Sequence, residues 1–278
     1  MLCKNSAVSA FAGQFRNGRA VVDVLAYVAL MGGLLTVVVH GASQSGYVWQ
    51  WYRAWRFLFV LPGDAGAEGG ASAGLLLQGL GVTLQVAAGS LVLALLLAAV
   101  AVALRLSCLR TGRLVARLYV ESVRNTPLLV QLFVTYFAIA PVFGLGRMAS
   151  AVMALGVFEG AYMAEILRAG IAAVPQGQWE ASRSLGMDEP GTYVQVILPQ
   201  ALRRALPPLT GQAVSLVKDS SLASAIAIHE LTMQAQTIIA ETFLTFEVWL
   251  LTAAIYLCVT LSLSAVARLL ERRMHFDV

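Results

Sequence analysis

Residues able to do chemistry are few in this chain of 278 residues, and they stand apart from one another. Cys3, Cys108 and Cys258 are isolated, so neither a disulfide nor a thiolate metal site is expected. His40, His229 and His275 are equally scattered, without the paired spacing of a metal ligand set. No Gly-x-x-x-x-Gly-Lys-[Ser/Thr] loop offers a phosphate cradle, and no Gly-x-Ser-x-Gly elbow offers a nucleophile. Two kinds of polar feature remain. One is an amphipathic stretch from Gly177 to Arg203, whose chemistry would be docking. The other is a set of single charges, Arg124, Glu159, Glu165, Lys218 and Asp219, set within or beside apolar runs. A charge near a membrane midplane is costly and faces a cavity or a partner, so these residues would pair with one another or meet a charged solute.

The elements that must position them are membrane helices. Hydrophobic residues make up 59% of the chain and charged residues 12%, about half the charge of a soluble protein; the mean hydropathy is +0.76. Apolar runs cover Leu25 to Val39, Gly74 to Leu104, Leu128 to Leu145, Ala149 to Leu167, a less hydrophobic span from Leu206 to Ile228, and Val248 to Ala267. Spanning a bilayer takes roughly 20 helical residues. The runs are continuous Leu/Ala/Val without the alternation of barrel strands, which predicts an all-α polytopic membrane protein of six helices. Lys4, Arg16, Arg19, Arg105, Arg110, Arg113, Arg117, Arg168, Arg183, Arg203, Arg204, Arg268, Arg272 and Arg273 fall on one side of these spans, against Arg53, Arg56 and Arg147 on the other. Flanking positive charge is retained inside, so both termini and the segment Ala169 to Ala205 are expected in the cytoplasm. The basicity, pI about 9.1, is therefore a topology signal and no warrant for nucleic-acid binding.

The first span, preceded by basic residues, is expected as an uncleaved helix rather than a signal peptide. Trp49, Trp51, Tyr52, Trp55, Phe57 and Phe59, with Arg53 and Arg56 among them, suit a segment lying along the outer headgroups. The Gly/Ala-rich stretch from Pro62 to Gly74 reads as a flexible lead into the core.

Within the amphipathic stretch, Gln178 to Leu185 predicts a short helix with Trp179, Ser182 and Leu185 at helical spacing and Glu180 and Arg183 exposed. Gly186 supplies the stop, where positive φ is wanted. Asp188 is a helix N-cap with Pro190 in the following first turn, so a second helix runs through Tyr193 and Val196 toward Leu198. Helix, Gly turn, helix makes a rigid cytoplasmic projection.

These residues resemble the Glu-Ala-Ala loop of ATP-binding-cassette importer permeases, in which Glu-Ala-Ala, three residues, Gly, nine residues, Ile, one residue and Leu-Pro follow in order. Here the pattern stands as Glu180-Ala181-Ser182, Gly186, Val196 and Leu198-Pro199, with Ser182 in place of Ala and Val196 in place of Ile. The likeness extends over roughly Leu75 to Arg273. Gly81 to Gln85, Glu121 to Phe133, Ala161 to Glu165, Val174 to Glu180 and Ser215 to Leu222 all look like the polar amino-acid branch of this family (histidine, glutamine and glutamate permeases) and occur in the expected order.

The resemblance implies a type I importer transmembrane domain: a five-helix core over 74–273 with its coupling loop at 171–203. Residues 1–20 would be a cytoplasmic tail, 21–73 an added N-terminal helix with its aromatic periplasmic loop, and 274–278 a C-terminal tail. It also implies a bacterial inner-membrane location. Gly177, Trp179, Glu180, Ala181, Ser182, Leu185, Gly186, Leu198 and Pro199 would couple to a pair of ATPase subunits. The other implied partners are a second permease subunit, identical or related, and a periplasmic amino-acid-binding protein. No cofactor is expected on this chain, ATP and Mg belonging to the ATPase, and no catalysis of its own. The cargo implied is a polar amino acid, with glutamate, glutamine and aspartate as candidates, moved by alternating access.

For the intramembrane charges the residues leave alternatives open. Glu159 would either bind the substrate's ammonium group or pair with Arg124 or Lys218. Glu165 is expected in an ion pair with Arg168, and Lys218 and Asp219 in a polar patch lining the pathway with Ser215, Ser220 and Ser221. Arg124, just before Pro127, is expected at a kink near the cytoplasmic mouth. Met148, Met153 and Met163 read as packing residues. A passive channel would be expected to carry a repeated pore motif, which is missing, and a scaffold could use the same hairpin for another partner; the five ordered matches favour the importer.

Overall fold

The computed structural model describes residues 46–60 and 72–274, together with 22, 24–34, 36–37, 40–41 and 44, with side chains through residue 269. The expected N-terminal tail, the C-terminal residues 275–278, part of the first span and most of the lead expected from Pro62 to Gly74 lie outside the described residues; the end of that lead, Ser72–Ala73, is paired strand rather than flexible. Two compact units are formed, Met1–Gln50 and Trp51–Val278. The first contains an apolar helix, α1 (Val24–Leu34).

In the second unit the aromatic segment is folded rather than merely laid on a surface. It forms a short helix α2 (Trp51–Ala54), a 3-10 turn (Trp55–Phe57) and a strand β1 (Phe59–Val60) paired antiparallel with β2 (Ser72–Ala73). Ala54 and Leu58 are buried against Leu76, Leu231, Ile238 and Val248, which anchors the segment to the helix ends, while Tyr52, Trp55 and Phe59 stay exposed.

The helices follow as α3 (Leu75–Leu106), α4 (Arg110–Arg124), α5 (Leu128–Phe133), α6 (Ala140–Phe143), α7 (Arg147–Ala172), α8 (Gln176–Ser184), α9 (Glu189–Gly191), α10 (Leu198–Asp219), α11 (Leu231–Thr242) and α12 (Thr245–Met274). Among the described residues α3, α7 and α12 are each long and apolar enough to cross a membrane. A fourth crossing is available if α4 and the helix from Leu128 to Phe143 are taken together, although they are bent by 108°. Pro127 drives this bend, because it denies helical geometry to the residue before it. The expected span at Leu128 to Leu145 is thus the second limb of a longer, broken element whose basic first limb carries Arg110, Arg113 and Arg117. The fourth core span also differs from expectation. It starts at Leu198 and not at Leu206, keeps Pro207 and Pro208 inside the helix, and gives way to a 3-10 segment at Ser220–Ile226. At 22 residues, α10 is about 33 Å long, enough to cross. Helix α11 had no apolar run to announce it.

The bundle is organised around α3 and α7. Their facing residues are small: Ser90, Ala94, Ala98 and Ala101 on one, Gly156, Gly160, Ala161 and Ala164 on the other, all buried. Lipid tails offer no hydrophobic drive for helix association, so close backbone approach through small residues supplies the van der Waals contact that holds such a pair. The approach is tight. A Cβ at Gly156 would lie 2.7 Å from Leu93 Cδ2 and 2.9 Å from Leu93 Cβ, and one at Gly160 would lie 2.8 Å from the Tyr119 hydroxyl. Tyr119 in turn donates to the Val157 carbonyl at 2.7 Å, tying α4 to the same seam.

Gly156→Val should force α3 and α7 apart and cost about 1–3 kcal/mol, typical of overpacking. A lowered midpoint of thermal unfolding in detergent would register it, whereas an unchanged midpoint would mean that the seam can relax.

Candidate coupling loop and intramembrane polar cluster

The loop between α7 and α10 is built from local signals. After α8 the chain turns at Gly186, whose φ of +77° is cheap only without a Cβ. Gly186 N–H donates to the Arg183 carbonyl at 3.0 Å and Met187 N–H to the Ser182 carbonyl at 3.1 Å. This pair of bonds is a Schellman closure, and it satisfies carbonyls that the helix end would leave open. Asp188 then caps α9 by accepting from Gly191 N–H at 3.0 Å. The two limbs are pinned together where Trp179 meets Tyr193 edge to face, ring centroids 4.9 Å apart, over a core of Val174, Ile197 and Ala201. Gln200 Nε2 donates to Gln178 Oε1 at 3.1 Å, and Arg204 donates to the Ala173 carbonyl.

Glu180, Ala181 and Arg183 are exposed and Ser182 is buried, its hydroxyl donating to the Gln178 carbonyl at 2.7 Å. Leu185 departs from the expected packed face: it is 80% exposed at the tip of the loop. Leu198 and Pro199 are exposed at the start of α10. Gly177 is exposed, and an added Cβ would meet nothing there. The expected second helix is not a separate limb. Helix α9 passes through a π-helical turn (Thr192–Ile197) straight into α10, so the helical path from Glu189 to Asp219 has no break.

That path leads to the polar residues of the bundle. Glu159, near the middle of α7, is fully buried. It accepts a hydrogen bond from Gln212 Nε2 of α10 at 2.6 Å, and the Asp219 carboxyl lies close enough to act on it electrostatically. Neither Arg124 nor Lys218 pairs with it among the described residues. The expected cationic partner is therefore replaced by an amide and a second acid. Glu159 Oε1 has no hydrogen-bond partner among the described residues. Arg124 stands at the expected kink, the 108° bend at Pro127, and its guanidinium stacks over the Tyr162 ring, 5.2 Å from the centroid, one turn from Glu159. Lys218 and Asp219 point apart. Lys218 lines a cavity of about 300 Å³ with Ser221, Thr232, Trp249, Thr252 and Tyr256, while Asp219 faces Glu159. Glu165 makes its expected bond to Arg168, at 2.5 Å, and a second to Arg105 of α3 at 2.9 Å.

Sequence reasoning missed Gln212, Arg105 and, above all, Glu230. The Glu230 carboxylate caps α11, accepting from Thr232 N–H at 2.9 Å and Met233 N–H at 2.8 Å. It also accepts from the hydroxyls of Tyr256 at 2.9 Å and Thr83 at 3.3 Å, so one buried group joins α3, α11 and α12. Glu is not among the residues favoured as helix N-caps, so neither the cap nor its long-range partners had a signal in the sequence.

The arrangement of helices and loop is that of a type I importer transmembrane domain. The crystal structure of an amino acid ABC transporter with histidines matches 72% of this chain and 94% of its own at 38% identity, TM-score 0.68. The inward-facing MetNI methionine ABC transporter shares the fold, at 20% identity and TM-score 0.61, over 73% of this chain and 97% of its own. Residues 90–276 match the family model described as "binding-protein-dependent transport system inner membrane component". The chain belongs to that family, and so is a multi-pass membrane permease component. It is 41% identical to the L-cystine transport system permease protein TcyB of Bacillus subtilis, covering 72% of this chain and 86% of that relative. It is 42% identical to the glutamine transport system permease protein GlnP of Escherichia coli, over 58% of this chain and 74% of that one.

Glu230→Ala strands two amide N–H groups, while the Thr83 and Tyr256 hydroxyls keep the Gly79 carbonyl and the Thr232 hydroxyl as partners, and should cost about 3 kcal/mol, combining a lost cap with unsatisfied buried donors. Thermal unfolding in detergent measures the loss, and Glu230→Gln should recover part of it.

Proposed function

We propose that this chain is the membrane-spanning permease of an ATP-driven importer for a polar amino acid, carrying the solute inward by alternating access. A pair of ATPase subunits hydrolyses ATP and docks at the loop, a second permease subunit completes the pathway, and an extracytoplasmic binding protein delivers cargo to the opposite face. The loop is then cytoplasmic, as the arginine distribution supports, and both termini lie on the same side. The observation that carries the reading is the continuity of α9, the π-helical turn and α10 from the docking tip to Asp219. A force applied at Trp179, Glu180 and Leu185 moves α10 as a lever, and Gln212 with it. A flexible connection would lose the motion in its own disorder.

The cargo's ammonium group is assigned to Glu159. Its unpartnered oxygen becomes available when α10 shifts Gln212 away from α7, and Asp219 adds negative charge at the same depth. The named relatives transport glutamine and cystine, and the solved relative holds histidines. These solutes share an α-ammonium and an α-carboxylate and differ in side-chain charge, so the class proposed is polar amino acids, with glutamine ahead of glutamate and aspartate.

Two outcomes are expected. Gly186→Val imposes a β-branched residue on a left-handed turn at about 1–2 kcal/mol, and should reduce co-purification of the ATPase while leaving the membrane bundle folded; undiminished co-purification would count against docking at the loop. Glu159→Gln keeps the size and hydrogen-bonding capacity of the side chain and removes its charge. Uptake should fall at least about tenfold with assembly intact, the loss of one charge-assisted bond, while wild-type uptake would reduce Glu159 to a tie between α7 and α10.

A further inference from the structure

A cluster of arginines at the loop end of the bundle is in excess of its acids. Arg105, on the last turn of α3, and Arg168, near the end of α7, share a single carboxylate, Glu165. Arg105 uses one Nη and Arg168 its Nε and one Nη, and their remaining nitrogens have no bond among the described residues. Helix α4 opens a few residues on with Arg110 and Arg113 in its first turn and no acid there. Cations at a helix N-terminus oppose the helix dipole, so Arg110 and Arg113 gain nothing from the α4 dipole itself. Arg113 Nη1 donates to the Ser107 carbonyl at 3.1 Å, which holds the start of α4 against the end of α3.

Between Arg105 and Arg168 lies a cavity of about 220 Å³, walled by Val102, Leu106, Ile171 and Trp179 of α8. It is apolar along α3 and cationic at its rim. Depth follows from length. Helix α3 has 32 residues and is about 48 Å long, longer than a hydrocarbon core of about 30 Å, and the positive charge of Arg105 and its neighbours puts the overhang at this end, among the headgroups.

We propose that this cavity binds an anionic phospholipid of the inner leaflet, its phosphate on the free guanidinium nitrogens of Arg105 and Arg168 and an acyl chain along Val102 and Leu106. The proposal rests on the orientation given above, which puts these arginines at the cytoplasmic surface, where anionic headgroups attract basic residues. Arg110 and Arg113 add long-range attraction. A lipid so placed touches Trp179, and therefore bears on the root of α8, where the loop meets the bundle.

The test is native mass spectrometry of the assembled transporter exchanged into phosphatidylglycerol or phosphatidylcholine, with the Arg105→Gln/Arg113→Gln variant beside the wild type. The wild type should retain phosphatidylglycerol in preference to phosphatidylcholine. The double variant should retain it roughly twentyfold less well, since each arginine near an anionic surface contributes about a factor of five, and Arg105→Lys should keep most of the preference. Equal retention of the two lipids by the wild type overturns the proposal without recourse to any variant, so a variant that fails to fold does not protect it. It is overturned equally if the folded double variant keeps phosphatidylglycerol, or if inorganic phosphate displaces the lipid, which would make this a site for free phosphate. Loss of the ATPase from a variant that still holds the lipid would assign the arginines to a protein surface instead. Because the lipid preference is read without transport, its failure leaves the importer reading intact.

Discussion

Everything else in the bundle hangs on how closely α3 and α7 approach. Association in a membrane must be earned by packing, and the seam does so with glycine, alanine and serine at four-residue intervals, where Gly156 and Gly160 meet Leu93, Leu97 and Tyr119. With that pair fixed, α10 packs against α7 and more lightly against α3, α11 packs against α3, and α4 is held by the Tyr119 hydroxyl. The polar residues are then placed by helices that cannot slide, because a small shift along the seam would bring a side chain onto a glycine.

Polar contacts supply register where packing supplies proximity. Glu230 holds α11 and α12 to α3, and Glu159 with Gln212 marks the level at which α7 and α10 cross. The two differ in kind. Glu230 accepts bonds from two amides and two hydroxyls on three elements and is a fixed node. Glu159 has one bonded oxygen and one without a partner among the described residues, and is the less fully held of the two.

What could be read from the residues divides along the line between local and long-range causes. The loop was legible because caps are local: Gly186 and Asp188 act on neighbours within five residues, and both behave as their types require. The long spans α3, α7 and α12 were legible because hydropathy is additive along the chain. Helix α4 was hidden by its own arginines, which read as loop charge, and α10 was read as starting late because Arg203 and Arg204 interrupt its apolar content. The partner of Glu159 could not be found by looking for an opposite charge, since it is an amide 53 residues away. Leu185 has helical spacing with Trp179 and Ser182, but the Gly186 turn carries it to the tip, where most of its side chain is exposed.

The π-helical turn at Thr192–Ile197 has a further consequence. Such a turn takes in one residue more than an α-turn, and each residue of an α-helix advances the azimuth by about 100°. The extra residue therefore sets the angular phase between the exposed face of α8 and the face of α10 that carries Gln212. Removing one residue there would leave every cap and exposed surface chemically intact and point the loop in a different compass direction relative to Gln212 and Glu159.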